Sequence, residues 1–451
     1  MRKKSAVRPG VTKLHRNPRR LLRLALIVAI YLIAFTILDF ITKQFEGLPG
    51  VVTWYPPAGL TYALLLVFGM AFTPAVTIAL FISSLFTYHM PQSPYLLLLW
   101  ALVISLIYSL GAAFLLKRIH IDWQLRKLRD VAWFICTTVL VSALLALLSV
   151  SSSALTSAMP RSDVLRAIFD WWIGETVGVL TVTPFLLIFV MPALKRFAEG
   201  QTFRLPARRS FPHPTLSAFG QAASIVLTLY LVFGATALAE FHPLFLISLP
   251  LIWIALQRGF KGISAALLAL NSGVVLALWL YRFDPAQLGE LELLMIVNCI
   301  VGLLMGAVVT ERKQADLTLH ESEAKYRALV DEISDGFYIS DLHSTLTFAN
   351  HALACILGFE DPEAVIGHSF LDFVPSDKAA GLGEQFQAAM VTGKDSGLIT
   401  TEVIRQDGAY VYIEIVPQTI VEDGRSLGGR GTVRDITERR RTESERQSLL
   451  E

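Results

Sequence analysis

The sequence predicts two architectures in one chain. The first is a membrane all-α helical bundle of eight to ten transmembrane helices; the second is a small α+β domain, a five-stranded antiparallel sheet with helices on one face. Three observations predict this. Apolar residues fill 54% of the 451 positions and the mean hydropathy is +0.54, too high for a soluble enzyme. They gather in runs of roughly 18 to 25 residues, the length that crosses a hydrocarbon core of about 30 Å. Finally, a net charge of +2 conceals an asymmetry: residues 1–313 hold 27 Lys+Arg against 13 Asp+Glu, and residues 314–451 hold 12 against 24.

A basic cytoplasmic tail, residues 1–20, precedes an apolar run at 21–41. That run is long enough to span, and no small-residue cleavage site follows it, so it reads as an uncleaved anchor. Further spans are expected near 56–70, 73–88, 95–116, 131–151, 168–191, 218–238, 244–256, 262–280 and 291–310, of which 56–70, 73–88 and 244–256 are short. With the N-terminus inside, 23 basic residues fall on the cytoplasmic side, among them Lys117, Arg118, Lys195, Arg204, Arg208, Arg209, Arg258 and Lys261. The other side receives only Lys43, Arg161, Arg166 and Arg282. This bias predicts an even number of spans with both termini cytoplasmic, which eight or ten would satisfy. It also reads the basic residues as topology signals rather than a nucleic-acid footprint. Cys136, Cys299 and Cys355 offer no disulfide framework and no metal-ligand spacing.

After Thr310 a polar helix-forming linker leads to about Ile333. Leu317, Ala324 and Leu329 or Val330 recur near seven-residue spacing. That pattern suits either a short coiled coil between two subunits or an amphipathic helix resting on the next domain. Strands are expected at 336–340, 345–349, 398–405, 410–415 and 431–434, with helices at 351–357 and 383–390 between the second and third. Gln406-Asp407-Gly408 and Glu422-Asp423-Gly424 suit hairpin turns.

The stretch that carries most chemistry is Trp171-Trp172-Ile173-Gly174-Glu175-Thr176-Val177-Gly178, running on to Pro184. A carboxylate near mid-bilayer costs about 2.5–3.5 kcal/mol on insertion scales, so Glu175 is expected to face protein or a wet cavity. One reading makes it a ligand- or proton-responsive group walled by Trp171 and Trp172. The other places it near the outer interface within an aromatic belt. On the expected topology it stands about one turn inside the non-cytoplasmic face, which suits an outward-facing sensory pocket. Trp54 with Pro56 and Pro57 either breaks a membrane helix beside a cavity or starts a helix at the interface. Gly174 with Gly178, and Gly302 with Gly306, form Gly-x-x-x-Gly pairs for close helix packing within a subunit. Asp39, Asn271 and Asn298 are read as interhelical hydrogen-bonding groups. His320-Glu321 is read as part of the solvated linker, because no kinase ATP-binding domain accompanies it.

Two resemblances rest on these residues. Trp54-Tyr55-Pro56-Pro57-Ala58-Gly59-Leu60, the tract from Trp171 to Leu187 and the later tract from Pro250 to Gly262 resemble the type-one membrane-associated sensor (MASE) family, a bacterial integral-membrane input module, over residues 21–310. An Asp is more usual in that family where Glu175 stands. Residues 322–441 resemble a PAS domain with its C-terminal PAC motif, through Tyr326-Arg327-Ala328-Leu329, Asp335-Gly336, Phe348-Ala349-Asn350, Leu357-Gly358-Phe359, Ile366-Gly367-His368, Arg405-Gln406-Asp407-Gly408 and the closing Arg434-Asp435-Ile436-Thr437-Glu438-Arg439. In that family the Asp435-Ile436-Thr437 junction passes the last strand into an output helix, here residues 437–451, which Thr437 would cap.

The resemblances imply a bacterial inner-membrane receptor whose partners are the lipid bilayer, an unidentified small-molecule or membrane stimulus, a second copy through the linker helices, and an output domain or partner protein. They imply no catalytic residue within this chain. They favour continuation beyond residue 451 into cyclic-di-GMP turnover or a histidine kinase. No cofactor is expected: 383–390 holds no axial histidine for haem, His351 and His368 read as surface residues, and Cys355 lies outside a flavin-binding motif. The competing class is a transporter with a regulatory PAS domain, though no inverted repeat is visible.

Overall fold

The computed structural model describes residues 18–48, 51–52, 54–90, 92–155, 163–201, 216–235, 244–281, 288–422 and 424–448. The basic tail before Pro18, together with Arg161, Arg204, Arg208, Arg209, Arg282 and Asp423, lies outside the described residues. The chain divides into two compact units, Met1–Ala315 and Asp316–Glu451.

In the first unit, eight helical stretches among the described residues are long and apolar enough to cross a membrane. Helix α1 (Pro18–Lys43) leads through a two-stranded ribbon, β1 (Glu46–Leu48) and β2 (Val51–Val52), to α2 (Pro56–Phe68). Thirteen residues make α2 about 20 Å long, short of the ~30 Å a bilayer core requires. Ten of those residues are buried, so α2 is apolar on every side because protein surrounds it. Helix α3 (Thr73–Ile82) runs on through a π-turn, Ser83–Thr87. Helices α4 (Pro94–Ala113), α5 (Leu128–Leu155) and α6 (Val164–Phe189) follow, and the short α7 (Met191–Glu199) and α8 (Leu216–Leu229) lead to α9 (Ser248–Tyr281) and α10 (Leu288–Asp331).

Helix α9 is not straight. Gly259 has φ 62° and ψ −150°, a left-handed backbone that glycine adopts without a Cβ penalty. Before it, Ser248 Oγ bonds Asn298 Oδ1 at 2.7 Å and Lys313 Nζ donates to Gln257 O at 2.8 Å. After it, Phe260 N donates to Thr310 Oγ1 at 2.8 Å and Asn271 Nδ2 reaches Cys299 Sγ at 3.6 Å. Pairing with α10 therefore ascends before Gly259 and descends after it, so the chain turns back there. The spans expected at 244–256 and 262–280 are the two arms of this hairpin.

Helix α6 is the axis of the unit, with every residue from Ile173 to Pro184 buried. It packs on α2 backbone to backbone: a methyl added at Gly178 would lie 2.1 Å from Tyr55 O, and one at Gly59 2.5 Å from Gly178 O. Gly302 and Gly306 instead meet α9, with Ile263 side-chain atoms 3.2 and 2.5 Å from added methyls.

In the second unit, β3 (Gly336–Ser340), β4 (Leu346–Ala349), β5 (Ile399–Ile404), β6 (Tyr410–Glu422) and β7 (Arg425–Asp435) form one antiparallel sheet in the order β4-β3-β7-β6-β5. Helices α11 (His351–Leu357) and α12 (Ser376–Thr392) precede β5, and α13 (Thr437–Ser448) follows β7. Leu353, Leu357, Val403, Val411, Ile413 and Val433 are among the residues that form the core. Strands β6 and β7 outrun the expected 410–415 and 431–434. Their added ends carry polar or exposed residues, and Gly428, Gly429 and Gly431 weaken the apolar alternation that marks a strand. Helix α12 likewise extends past the expected 383–390 because Gly381 and Gly383 dilute its pattern.

The two Gly-x-x-x-Gly pairs should respond differently to a single methyl. Gly178→Ala drives Cβ into backbone, and overpacking of this kind costs about 1–3 kcal/mol. Gly302→Ala meets a side chain that can shift, so its cost should stay under ~1 kcal/mol. Thermal unfolding of the detergent-solubilised chain checks this; equal midpoints for the two variants would contradict it.

Candidate functional site

Two prolines at the head of α2 solve a problem of the low-dielectric interior. Buried helix N-termini leave orphan N–H groups, but Pro56 and Pro57 have none. The remaining donors are taken, Tyr55 N by Gly174 O at 3.1 Å and Ala58 N by Tyr55 O at 3.2 Å. Farther along, Trp54 Nε1 donates to Thr181 Oγ1 at 3.1 Å and Thr183 Oγ1 to Gly59 O at 2.9 Å. Trp54, Tyr55 and Gly59 thus meet the Gly174–Thr183 stretch of α6, and Pro56 and Pro57, between them in sequence, are buried.

This docking puts Tyr55 beside two acids. Its hydroxyl donates to Asp39 Oδ1 at 2.9 Å, and Ser83 Oγ, from the π-turn, donates to Asp39 Oδ2 at 2.6 Å. Lys43 Nζ bonds Thr87 O and lies 5.6 Å from the Tyr88 ring centroid. On its other side Tyr55 faces a cavity of about 110 Å³, whose lining includes Tyr88, Tyr108, Trp171 and Glu175. Glu175 is 2% exposed, and its Oε1 has no hydrogen-bond partner among the described residues.

Helix geometry divides the tryptophan pair. Trp171 and Glu175 are four residues apart and share a face, so both line the cavity. Trp172 turns about 100° away, where its Nε1 donates to Val139 O of α5 at 3.1 Å and its ring meets Phe169 edge-on at 5.8 Å. The expected wall of two indoles is therefore one indole plus Tyr108 of α4 and Tyr55 and Tyr88 from two connections. Helix α6 begins at Val164 rather than near residue 168, so Glu175 stands about three turns from the helix start. Polar Arg166 and Asp170, paired at 3.6 Å, hid that early start. Tyr88 and Tyr108 were missed as site residues, and the available signal was a tyrosine inside an apolar run, whose hydroxyl requires a reason to be there.

In the second unit, Asn350 joins three elements. Its Oδ1 accepts from Phe337 N at 2.7 Å and Leu353 N at 3.0 Å, and its Nδ2 donates to Val330 O at 3.0 Å and Asp335 O at 3.1 Å. Asp335 and Arg434 form a two-pronged pair, with Arg434 Nη2 2.7 Å from Oδ2 and Nε 3.0 Å from Oδ1. The closing motif differs from expectation in one detail. Thr437 does not cap α13: its Oγ1 accepts from Tyr412 N of β6 at 3.0 Å. Asp435 Oδ1 accepts from Thr437 N at 2.8 Å instead, and Ile436 is buried with its N donating to Tyr412 O at 2.9 Å. An apolar cavity of about 70 Å³ between sheet and helices is lined by Tyr338, Leu353, Phe373 and Phe386 among others, with neither histidine nor cysteine in its wall among the described residues. Burial pushes the Tyr338 hydroxyl up to about 12. His351 and His368 are exposed.

A polytopic bundle with a buried carboxylate in a cavity, followed by an antiparallel sensor-type sheet, is the architecture of a membrane signal-transduction receptor. The chain belongs to the MASE1 family, whose profile matches residues 23–313; the profile for the PAS fold matches residues 330–441. Sporulation kinase C of Bacillus subtilis (strain 168) is 23% identical over 150 residues, 32% of this chain and 34% of that protein, so the chain spans about a third of the length of this curated relative. The PAS domain of an HTR-like protein from Haloarcula marismortui is 21% identical, with a TM-score of 0.25, covering 28% of this chain and 99% of that one. A PAS domain from Colwellia psychrerythraea is also 21% identical, with a TM-score of 0.23, covering 27% and 98%.

The Arg434 hydrogen bonds hold the Asp335 carboxyl below its ordinary range. A carboxyl depressed by folding contributes stability above its unfolded pKa of about 3.9, and that stability is lost as pH falls through the lower folded value. Carbon-13 titration of the Asp335 carboxyl should therefore show a midpoint below 3.9. In Arg434→Met the midpoint should rise toward ~3.9 and the acid loss of stability shrink. An unmoved midpoint would remove the pair from any account of this junction.

Proposed function

We propose that residues 21–310 sense a stimulus from the non-cytoplasmic side of the bacterial inner membrane, at the cavity holding Glu175. In this reading both termini are cytoplasmic, residues 311–333 are the signalling helix, and the PAS domain passes the signal through Asp435, Ile436 and Thr437 to α13. The observation that carries it is the unpartnered Glu175 Oε1 in a cavity lined by Val52, Tyr88 and Met90. Those residues belong to the connections at the end of the bundle opposite the basic Lys117–Arg129 and Lys195–Arg196 segments. Positive segments favour the cytoplasm, which directs the cavity outward. The output is a histidine kinase or an enzyme of cyclic-di-GMP turnover in a longer parent protein.

If residues 1–451 are fused to a histidine-kinase reporter, Glu175→Gln should shift basal output several-fold while membrane insertion stays normal. Unchanged output would remove Glu175 from the sensing role.

The signalling helix is proposed to pair with that of a second copy. Leu317, Tyr326 and Leu329 are 64%, 69% and 51% exposed, so this segment does not rest on its own PAS unit, and a seven-residue apolar repeat suits a two-stranded coiled coil. Leu317→Cys and Ala324→Cys should each give a disulfide-linked dimer in oxidised membranes, whereas Lys313→Cys should give little; equal yields at all three would oppose the pairing.

A further inference from the structure

The chemistry of the Glu175 cavity restricts what can occupy it. Four aromatic rings, Tyr55, Tyr88, Tyr108 and Trp171, contribute to the wall, and among the described residues no Lys, Arg or His lines it. The faces of aromatic rings are electron-rich and attract cations, most of all where water is excluded. One acceptor, Glu175 Oε1, is buried without a donor among the described residues.

Charge counting leads to the same place. Asp39 and Lys43 are four residues apart on α1 and offset each other, and both Asp39 oxygens already accept hydrogen bonds. Lys43 Nζ is engaged by Thr87 O beyond the Tyr88 ring. In its ionised form Glu175 is thus one negative charge in excess among the described residues. An anion would be repelled, and a neutral apolar molecule would leave Oε1 unsatisfied. The cavity volume, about 110 Å³, accommodates several heavy atoms, since one water needs about 10–15 Å³.

From these observations we propose that the cavity binds a small organic monocation, an amine or quaternary ammonium, held between the Glu175 carboxylate and the aromatic rings. The proposal rests on reading this cavity as the sensory site and adds the class of ligand. Tyr55 would link occupancy to structure, because it lines the cavity and also bonds Asp39 and the α6 backbone.

The test uses the full chain in detergent, with tetramethylammonium chloride and methylammonium chloride as probes and tert-butanol, sodium chloride and sodium acetate as matched controls. At least one of the two cations should raise the thermal unfolding midpoint saturably, and the controls should not. Glu175→Gln should weaken that response about tenfold or more, Trp171→Leu several-fold, and Glu175→Asp should retain part of it. An unliganded midpoint for Glu175→Gln at or above that of the parent shows that the variant folds, because a buried unpaired acid has been removed. A response equal to that of tert-butanol or sodium, one retained in Glu175→Gln, or none to either cation would overturn the proposal. The reporter fusion separates the two readings: output that shifts in Glu175→Gln while no cation binds leaves the sensory site standing without this ligand class. Cation binding with unshifted output leaves a binding site that does not signal.

Discussion

Backbone contact between the start of α2 and the middle of α6 is the constraint on which the membrane unit depends. Lipid tails are as apolar as leucine, so membrane helices gain little from burying greasy surface against one another. They associate through packing and interhelical hydrogen bonds, which need close approach. Gly59 and Gly178 permit that approach, and Tyr55 N to Gly174 O and Thr183 Oγ1 to Gly59 O secure it. Two consecutive prolines remove the amide donors that would otherwise be stranded there. The same contact brings Tyr55 to Glu175, so the packing requirement and the cavity share their residues.

The second unit has its own geometric economy. The end of α10 and the start of α13 lie at opposite ends of the PAS sequence, yet they attach to paired strands: Gly336 at the head of β3 is opposite Val433 near the end of β7. Asn350 fixes the last turn of α10, through Val330 O, to β3 and α11. Asp335 and Arg434 join the two strands just outside that register, and Tyr412 holds Ile436 and Thr437. Val330 and Asp335 are therefore one strand away from the first turn of α13.

Much of this was legible in the sequence because the relevant signals are local. Apolar run length marks the spans, period-two alternation marks the strands to within a few residues, and an acid between tryptophans and glycines stands out against its surroundings. What escaped was relational. Nothing near Trp171 tells it apart from Trp172 until the direction of α5 is known. Gly259 reads as one glycine between Arg258 and Phe260, and only the register of both arms against α10 shows that the chain reverses there. Tyr88 and Tyr108 join the site from another connection and another helix. Thr437 sits where a cap is common, but the edge of β6 offers an amide that local sequence cannot display.

Two of the buried carboxylates of the bundle, Asp39 and Glu175, are held in contrasting ways. Asp39 is 0% exposed and Glu175 2%, so burial does not tell them apart, and each bears a similar penalty for leaving water. Their partners do. Asp39 receives two hydroxyl donors and has Lys43 one turn along its helix, so its penalty is offset inside the fold. Among the described residues Glu175 has no donor to Oε1 and no basic neighbour in its cavity wall, which it shares with Tyr55, Tyr88, Tyr108 and Trp171. A buried acceptor without a donor costs about 1–3 kcal/mol, and although Ser84 and Ser149 line the same cavity, Oε1 has no donor among the described residues. The α2–α6 contact holds the surrounding frame through bonds that do not involve this carboxylate, so the fold tolerates an unpaired acceptor at its centre.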